Sequence, residues 1–155
     1  MSQRMGRQEI DETAWRTKMR EMTRIVANGC FDLLHDGHVK FLMMAQNLGY
    51  LIVAINSDES ARRLKAAKWG AAYPRDSQEV RADNLCKLGV DQVIIFNTEE
   101  DLRNIIEFAA PCIIVKGPDY AGSEKFVTGY DIAPVIILDT PETAEVREFK
   151  RRSYE

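Results

Sequence analysis

The chain has 155 residues, of which 45% are hydrophobic and 29% are charged, as is typical of one globular domain with a single core. Its formal net charge of -3 lacks the positive excess of a nucleic-acid-binding surface, so we expect no nucleic-acid partner. No apolar run reaches the roughly 18 residues of a membrane span, and the polar first residues are unlike a signal peptide, so we expect no membrane association.

The cysteines indicate the cellular compartment. Cys30, Cys86 and Cys112 are odd in number and widely spaced, which fits neither a zinc site nor a disulfide framework. We therefore expect reduced thiols in a cytoplasmic protein with no metal site built from its side chains.

Helical and extended patterns alternate along the chain. An N-terminal helix is predicted over 9–22, so that 1–23 form an extension and 24–155 the main domain. In chain order, the next predictions are a strand at 24–28, a helix at 37–48, a strand at 50–56, a helix from Asp58 to about Lys65, a mobile loop at 66–76 and a helix from Ser77 to Leu88. They are followed by a strand at 92–96, a helix at about 100–109, a strand at 112–116, a glycine-containing loop at 117–131, a strand at 134–138 and a helix capped by Thr140 that runs to about Arg152.

This alternation predicts an α/β fold: a Rossmann-like, doubly wound sheet of five parallel strands with helices on both faces. In such sheets ligands bind beyond the carboxyl ends of the strands. We therefore expect the site to be built from the loops that follow Asn28, Asn56, Lys116 and Leu138.

Residues 28–38, Asn-Gly-Cys-Phe-Asp-Leu-Leu-His-Asp-Gly-His, carry the most chemical information. They contain both histidines of the chain, His35 and His38, between a strand end and a helix start. A helix N-terminus offers unpaired N–H groups to an anion, and Gly37 permits a close backbone approach. Imidazoles there can donate to phosphate oxygens, and we expect a polyphosphate to favour their charged form. Two alternatives are capping or surface histidines, and a zinc site, for which a third ligand is missing.

The segment resembles the HxGH signature of the cytidylyltransferase-like nucleotidyltransferases, and residues 29–32 resemble the G-x-F-D that precedes it. Residues 51–58 (LIVAINSD), 61–65 (ARRLK) and 115–120 (VKGPDY) are most similar to heptose-1-phosphate adenylyltransferases and somewhat less similar to glycerol-3-phosphate cytidylyltransferase. The resemblance covers about 24–138. It implies transfer of a nucleoside monophosphate from ATP or CTP to a sugar or polyol phosphate, with magnesium on the nucleotide and a homodimer as the common assembly.

The resemblance also implies roles for individual residues. Those implied in catalysis are His35, His38, Lys65 and Arg81, with Lys68 a weaker candidate. Those implied in nucleotide binding are Asn28, Gly29, Cys30, Phe31, Asp32, Gly37, Lys116, Gly117, Asp119, Thr140 and Thr143. Structural alternatives stay open for several: surface lysines, an exposed Arg81 paired with Asp76 or Asp83, a buried capping Asp32, a turn at Asp119 and a space-filling Cys30.

The chain departs from the family pattern at two places. The family has a Ser-Thr-Thr-type cap on its last helix, whereas residues 139–144 read Asp-Thr-Pro-Glu-Thr-Ala and place negative charge where phosphates are expected. Tyr73 replaces a family arginine before Pro74, and Trp69 and Tyr73 either cover the acceptor or anchor the loop. The basic end of the last helix, Lys150 to Arg152, is interpreted as stabilising the helix dipole in preference to a binding role.

Other functions fit less well. A nucleotide-binding protein without turnover is the main alternative, because of the altered cap. The chain has no G-x-G-x-x-G after a strand and no Walker A sequence, which argues against a dinucleotide-dependent dehydrogenase and a P-loop ATPase. A class I aminoacyl-tRNA synthetase needs a far longer chain and an RNA-binding surface.

Overall fold

The structure is a computed structural model that describes residues 11, 13–14 and 23–154. The N-terminal helix predicted over 9–22 lies largely outside the described residues. Within them, no helix has both the length and the apolar character needed to cross a membrane.

Five strands and five α-helices alternate over the described main domain. The strands are β1 (Arg24–Gly29), β2 (Tyr50–Asn56), β3 (Gln92–Phe96), β4 (Cys112–Lys116) and β5 (Val135–Ile137). The helices are α1 (Asp36–Leu48), α2 (Asp58–Trp69), α3 (Gln78–Leu88), α4 (Glu99–Ala109) and α5 (Ala144–Ser153). Two short 3-10 turns, Pro118–Tyr120 and Glu124–Phe126, shape the loop after β4.

The five strands form one parallel sheet in the order β3-β2-β1-β4-β5, which confirms the predicted fold. Side chains alternate between the two faces of the central strand, as the two-residue period of a strand requires. Ile25 joins the core beneath α1 and α3, whereas Val26 joins the core beneath α4. The break in strand order lies between β1 and β4, so the loops after these strands open a crevice at the carboxyl edge.

Two predicted boundaries are wrong. Helix α2 continues to Trp69, because Ala66, Ala67 and Lys68 favour helix, and it ends where Gly70 adopts a φ of 99° and donates to the Ala66 carbonyl. The loop is therefore confined to 70–77.

The last helix begins at Ala144, not after Thr140. Its cap is Thr143, whose hydroxyl accepts from the Val146 N–H at 3.2 Å. The Thr140 N–H donates instead to the Leu138 carbonyl. The cap at Thr143 lets α5 bury Val146 in its first turn.

Candidate active site

A cleft with a volume of about 1130 Å³ lies at the carboxyl edge of the sheet. The end of β2 and the loops after β1, β3, β4 and β5 contribute to its walls, together with α1, α2, α4 and α5. Residues predicted for the site that line it are Asn28, Gly29, Cys30, Phe31, Asp32, His35, Gly37, His38, Lys65, Lys116, Gly117, Asp119 and Thr140. The topology thus brings most of the predicted residues to one place.

The two histidines form the N-terminal cap of α1. The His35 Nδ1 accepts from the N–H groups of Gly37 and His38 at 3.1 and 3.3 Å, and the His38 Nδ1 accepts from the His35 N–H at 3.3 Å. The rings stack with centroids 3.6 Å apart. A Cβ on Gly37 would lie 3.0 Å from the His35 ring, so a glycine between the histidines allows the first ring to fold back onto the helix end.

This arrangement keeps both imidazoles neutral. A ring nitrogen that accepts carries no proton, so the proton of each ring belongs on Nε2. Burial lowers the pKa of His38 to about 3, with smaller contributions from His35, Lys150 and Lys65, and burial followed by Lys150 lowers the pKa of His35. In the described chain the His35 Nε2 is buried and has no hydrogen-bond partner. Capping and ligand donation are therefore compatible, because they use different nitrogens, but the expected charged form does not fit this environment.

Asp32 organises the floor of the site. Its carboxylate is 4% exposed and accepts the N–H groups of Arg75 and Asp76 at 2.8 and 2.9 Å. The Tyr154 hydroxyl donates to the same group at 2.7 Å. With all three donors engaged, Asp32 ties β1 to the loop after α2 and to the end of α5, which agrees with an organising role and not with that of a base.

Arg81 lies in a different position from the one expected of a phosphate ligand or of an exposed helix arginine. It is 0% exposed, and its guanidinium donates to the carbonyls of Cys30 and Asn56, both at 2.8 Å. It also donates to the Asp76 carbonyl and pairs with Asp58 at 2.9 Å. Its guanidinium is thus used to join the ends of β1 and β2 to α2, which makes Arg81 a positioning residue in this structure.

Three lysines line the cleft on the side of α2 and β4. Lys65 and Lys68 are exposed on α2, and the Lys68 ammonium lies 4.9 Å from the centre of the Trp69 ring. Lys116 ends β4 with 8% exposure, and its ammonium lies 4.8 Å from the centre of the Tyr120 ring. Burial, with a smaller effect from Lys65, lowers the pKa of Lys116 to about 8. Two of these three lysines are therefore solvated cations, and the third is desolvated.

The family model described as "Cytidylyltransferase-like" matches residues 26–149, which is most of the chain and includes both histidines and the three cleft lysines just described. The chain belongs to the cytidylyltransferase-like family. It is 47% identical to "Bifunctional protein HldE" from Campylobacter concisus over 116 residues, or 74% of this chain and 23% of that protein. It is 42% identical to the protein of the same name from Wolinella succinogenes over 138 residues, or 86% of this chain and 27% of that protein. The chain thus spans about a quarter of these relatives.

Solved structures agree on the fold. A bifunctional NMN adenylyltransferase/ADP ribose pyrophosphatase from Francisella tularensis aligns with a TM-score of 0.59 at 19% identity, over 84% of this chain and 41% of that one. A pantothenate synthetase from Thermus thermophilus aligns with a TM-score of 0.55 at 14% identity, over 86% and 62%. At these identities the similarity concerns the architecture alone.

The cytidylyltransferase-like cleft also contains cations that our sequence analysis did not assign to the site. Arg147 and Lys150 project from α5 into it, and both contact Glu142, with Lys150 at 2.6 Å and Arg147 at 3.4 Å. For Lys150 the sequence favours a role in stabilising the helix dipole over a binding role. The misplaced helix start concealed these residues, because a cap at Thr143 places position 147 in the first turns of the helix, next to the buried Val146. The unpaired negative charge expected at Glu142 is instead matched by two cations.

An aromatic corner closes the other end of the cleft in this cytidylyltransferase-like chain. The Tyr154 ring lies 4.9 Å from Trp69 and 5.1 Å from Tyr73, and all three line the cleft. Tyr73 is 4% exposed and packs with Cys30, whose thiol has a pKa raised by burial. Tyr73 is therefore a buried anchor, and Cys30 is a buried thiol packed against it.

Proposed function

We propose that the chain is a nucleotidyltransferase that transfers a nucleoside monophosphate from ATP or CTP to a sugar phosphate or polyol phosphate and releases pyrophosphate. The observation that carries the proposal is the stacked pair His35 and His38, two neutral donors fixed at a helix N-terminus inside the cleft of a cytidylyltransferase-like chain. A heptose-1-phosphate adenylyltransferase-like reaction is favoured, because the motifs at 51–58, 61–65 and 115–120 are most similar to those enzymes.

In this reaction an oxygen of the acceptor's phosphate bonds to the α-phosphorus, and the bond from that phosphorus to the pyrophosphate oxygen breaks. Negative charge builds on the α-phosphate oxygens and on the leaving group. The Nε2–H groups of His35 and His38 donate to those oxygens. Lys65 and Lys116 neutralise phosphate charge, and no covalent enzyme intermediate is required.

Magnesium belongs to the proposed substrate. The described part of the chain has no cluster of three or more His, Cys, Asp or Glu side chains suited to a metal ion. Two carboxylates that line the cleft are also engaged, since Asp32 accepts from three donors and Glu142 binds Lys150. Phosphate oxygens of the nucleotide are therefore the proposed ligands of the ion, and we assign no step to it here.

Two alternatives have specific support. Similarity to glycerol-3-phosphate cytidylyltransferase makes CTP and glycerol 3-phosphate the second substrate pair. A nucleotide-binding protein with weak turnover is favoured by the altered junction before α5, where Asp139 is exposed and Glu142 contacts Lys150. We also propose a homodimer that works in the cytoplasm, where nucleoside triphosphates are supplied, with no nucleic-acid partner.

The test is release of pyrophosphate from ATP or CTP in the presence of magnesium and one acceptor at a time: a heptose 1-phosphate, another sugar 1-phosphate or glycerol 3-phosphate. We expect turnover with ATP and the heptose 1-phosphate, and its loss in His35→Asn, which keeps a short acceptor for the cap but removes the Nε2 donor. Binding of nucleotide without turnover on any acceptor would favour the weakened protein. No binding and no turnover would reject the proposal.

A further inference from the structure

Helix α5 has two groups of ion pairs, and only one lies in the cleft. Glu142, just before the helix, holds the Lys150 ammonium at 2.6 Å and the Arg147 guanidinium at 3.4 Å, and these three residues line the cleft. Glu148 pairs with Arg151 and Arg152 at 2.6 and 3.2 Å on the exposed part of the same helix. The same chemistry thus occurs once inside the cleft and once outside it.

The pair in the cleft lies next to the proposed phosphate donors. Lys150 is close enough to both imidazoles for its charge to lower their pKa values. The ring of Phe149, its neighbour on α5, packs edge-on against His35 with centroids 5.9 Å apart. Two cations converging beside two N–H donors form a site for an anion with several oxygens, such as a phosphate or pyrophosphate group.

Within the chain, the anion at that position is the Glu142 carboxylate. Its side chain is 39% exposed and that of Lys150 is 32% exposed, so the pair is open to solvent and contributes little net stability. A pyrophosphate carries more charge and more acceptor oxygens than a carboxylate, so it can replace Glu142 on the cations. Glu142 nevertheless remains nearby as a like charge, which opposes the incoming anion.

We propose that Glu142 is an internal competitor for the anion site formed by Arg147 and Lys150, so that it weakens binding of the pyrophosphate group and promotes its release. The inference rests on the proposed function, because it identifies pyrophosphate as the group that enters this site. It assigns Glu142 a part in setting the affinity for the leaving group, beyond the donors at His35 and His38.

The test measures binding of inorganic pyrophosphate to the full chain by titration calorimetry. We expect Glu142→Gln to bind at least about fivefold more tightly than the wild type, because a neutral amide no longer competes. The matched control is Glu148→Gln, which removes the same charge from the same helix outside the cleft and should change the affinity by less than about twofold. Equal tightening in both variants, or unchanged or weaker binding in Glu142→Gln, would overturn the proposal.

A second arm identifies the cation involved. Lys150→Met should weaken pyrophosphate binding. In the Lys150→Met background, Glu142→Gln should give a smaller gain than in the wild type, since only Arg147 is then left for the competitor. A full gain from Glu142→Gln in the Lys150→Met background would overturn the proposed competition. Circular dichroism of each variant checks that α5 is intact.

The outcomes also separate this inference from the proposed function. If pyrophosphate binding follows the expected pattern but no acceptor supports turnover, the transferase proposal fails and the competition stands. If the wild type turns over but Glu142→Gln binds pyrophosphate no more tightly, only the competition fails.

Discussion

The two corners of the cleft present their donors in different ways. At the β1–α1 corner the donors are neutral, and each imidazole accepts hydrogen bonds from backbone N–H groups at the start of α1. At the α5 corner the donors are full charges on long side chains, held by the half-exposed Glu142. The first corner is preorganised for charge that develops during reaction, whereas the second can exchange one anion for another. Position and charge are thus supplied by separate parts of the fold.

The largest expected effect comes from removing the imidazole donors of the first corner. His35→Asn and His38→Asn should each lower kcat by about 100- to 1,000-fold, because a preset donor to developing charge has no ready substitute. The dissociation constant of the nucleotide should change by less than about tenfold, since other donors serve the ground state. Single-turnover rates beside direct binding measurements check this. Near-normal rates would reject the assigned role, and equal loss of binding and rate would make the pair a ground-state clamp.

The next largest effect is expected from replacing Arg81, which supports that corner. Arg81→Met should lower the free energy of unfolding by about 3 kcal/mol, because it leaves Asp58 unpaired and the buried carbonyls of Cys30 and Asn56 without their donor. Urea denaturation measures the loss. Arg62→Met, on the exposed side of α2, is the control and should unfold like the wild type. Equal stability of the two variants would show that Arg81 does not hold the corner together.

A fall in pH should destabilise the first corner, because its imidazoles are neutral in the folded protein. Burial lowers the folded pKa of His38 to about 3, whereas an unfolded histidine titrates near 6.5. The unfolded chain therefore binds more protons than the folded chain between these pH values. The contribution of neutral His38 to the free energy of unfolding is complete above pH 6.5 and is lost as the pH falls toward 3. The slope for one group is at most about 1.4 kcal/mol per pH unit. Urea denaturation at pH 7 and 5 should show that the free energy of unfolding falls less in His38→Asn than in the wild type. An identical fall in both proteins would contradict a depressed pKa of His38.

The smallest effect distinguishes the second corner. Salt screens solvated charges more than buried dipoles, so raising the salt concentration should weaken nucleotide binding by a few-fold through groups such as Lys150. Lys150→Met should reduce this salt dependence, whereas His35→Asn should retain that of the wild type. Fluorescence titrations at two salt concentrations make the comparison. Equal salt dependence in all three proteins would remove the distinction between the corners.

The sequence predicted the features that depend on neighbouring residues. The alternation of strands and helices determines the parallel sheet, and the HDGH segment contains its own cap because His35, Gly37 and His38 are adjacent in the chain. The parallel pairing of β1 with β4 in this sheet then brings the loops after these two strands together.

Features that depend on distant partners were not predicted. Arg81 is buried because carbonyls 51 and 25 residues away accept from it, and Asp32 is engaged by a hydroxyl 122 residues away. No local pattern encodes these pairs. The cations of α5 were missed for a different reason: Thr140 and Thr143 are both suitable caps, and only the burial of Val146 decides between them.

The strand order has a consequence for how the site comes into being during synthesis. β1 is made first but lies in the middle of the sheet, between β2 and β4. By the time β3 has left the ribosome, both partners of β2 and one partner of β1 have been made, and the histidine cap is already encoded in the emerged chain. The wall with Lys116 comes later, and the cations of α5 come last. The ribosome therefore delivers the neutral donors early and the charges of β4 and α5 late, and the cleft is complete only once the second half of the chain has docked onto the first.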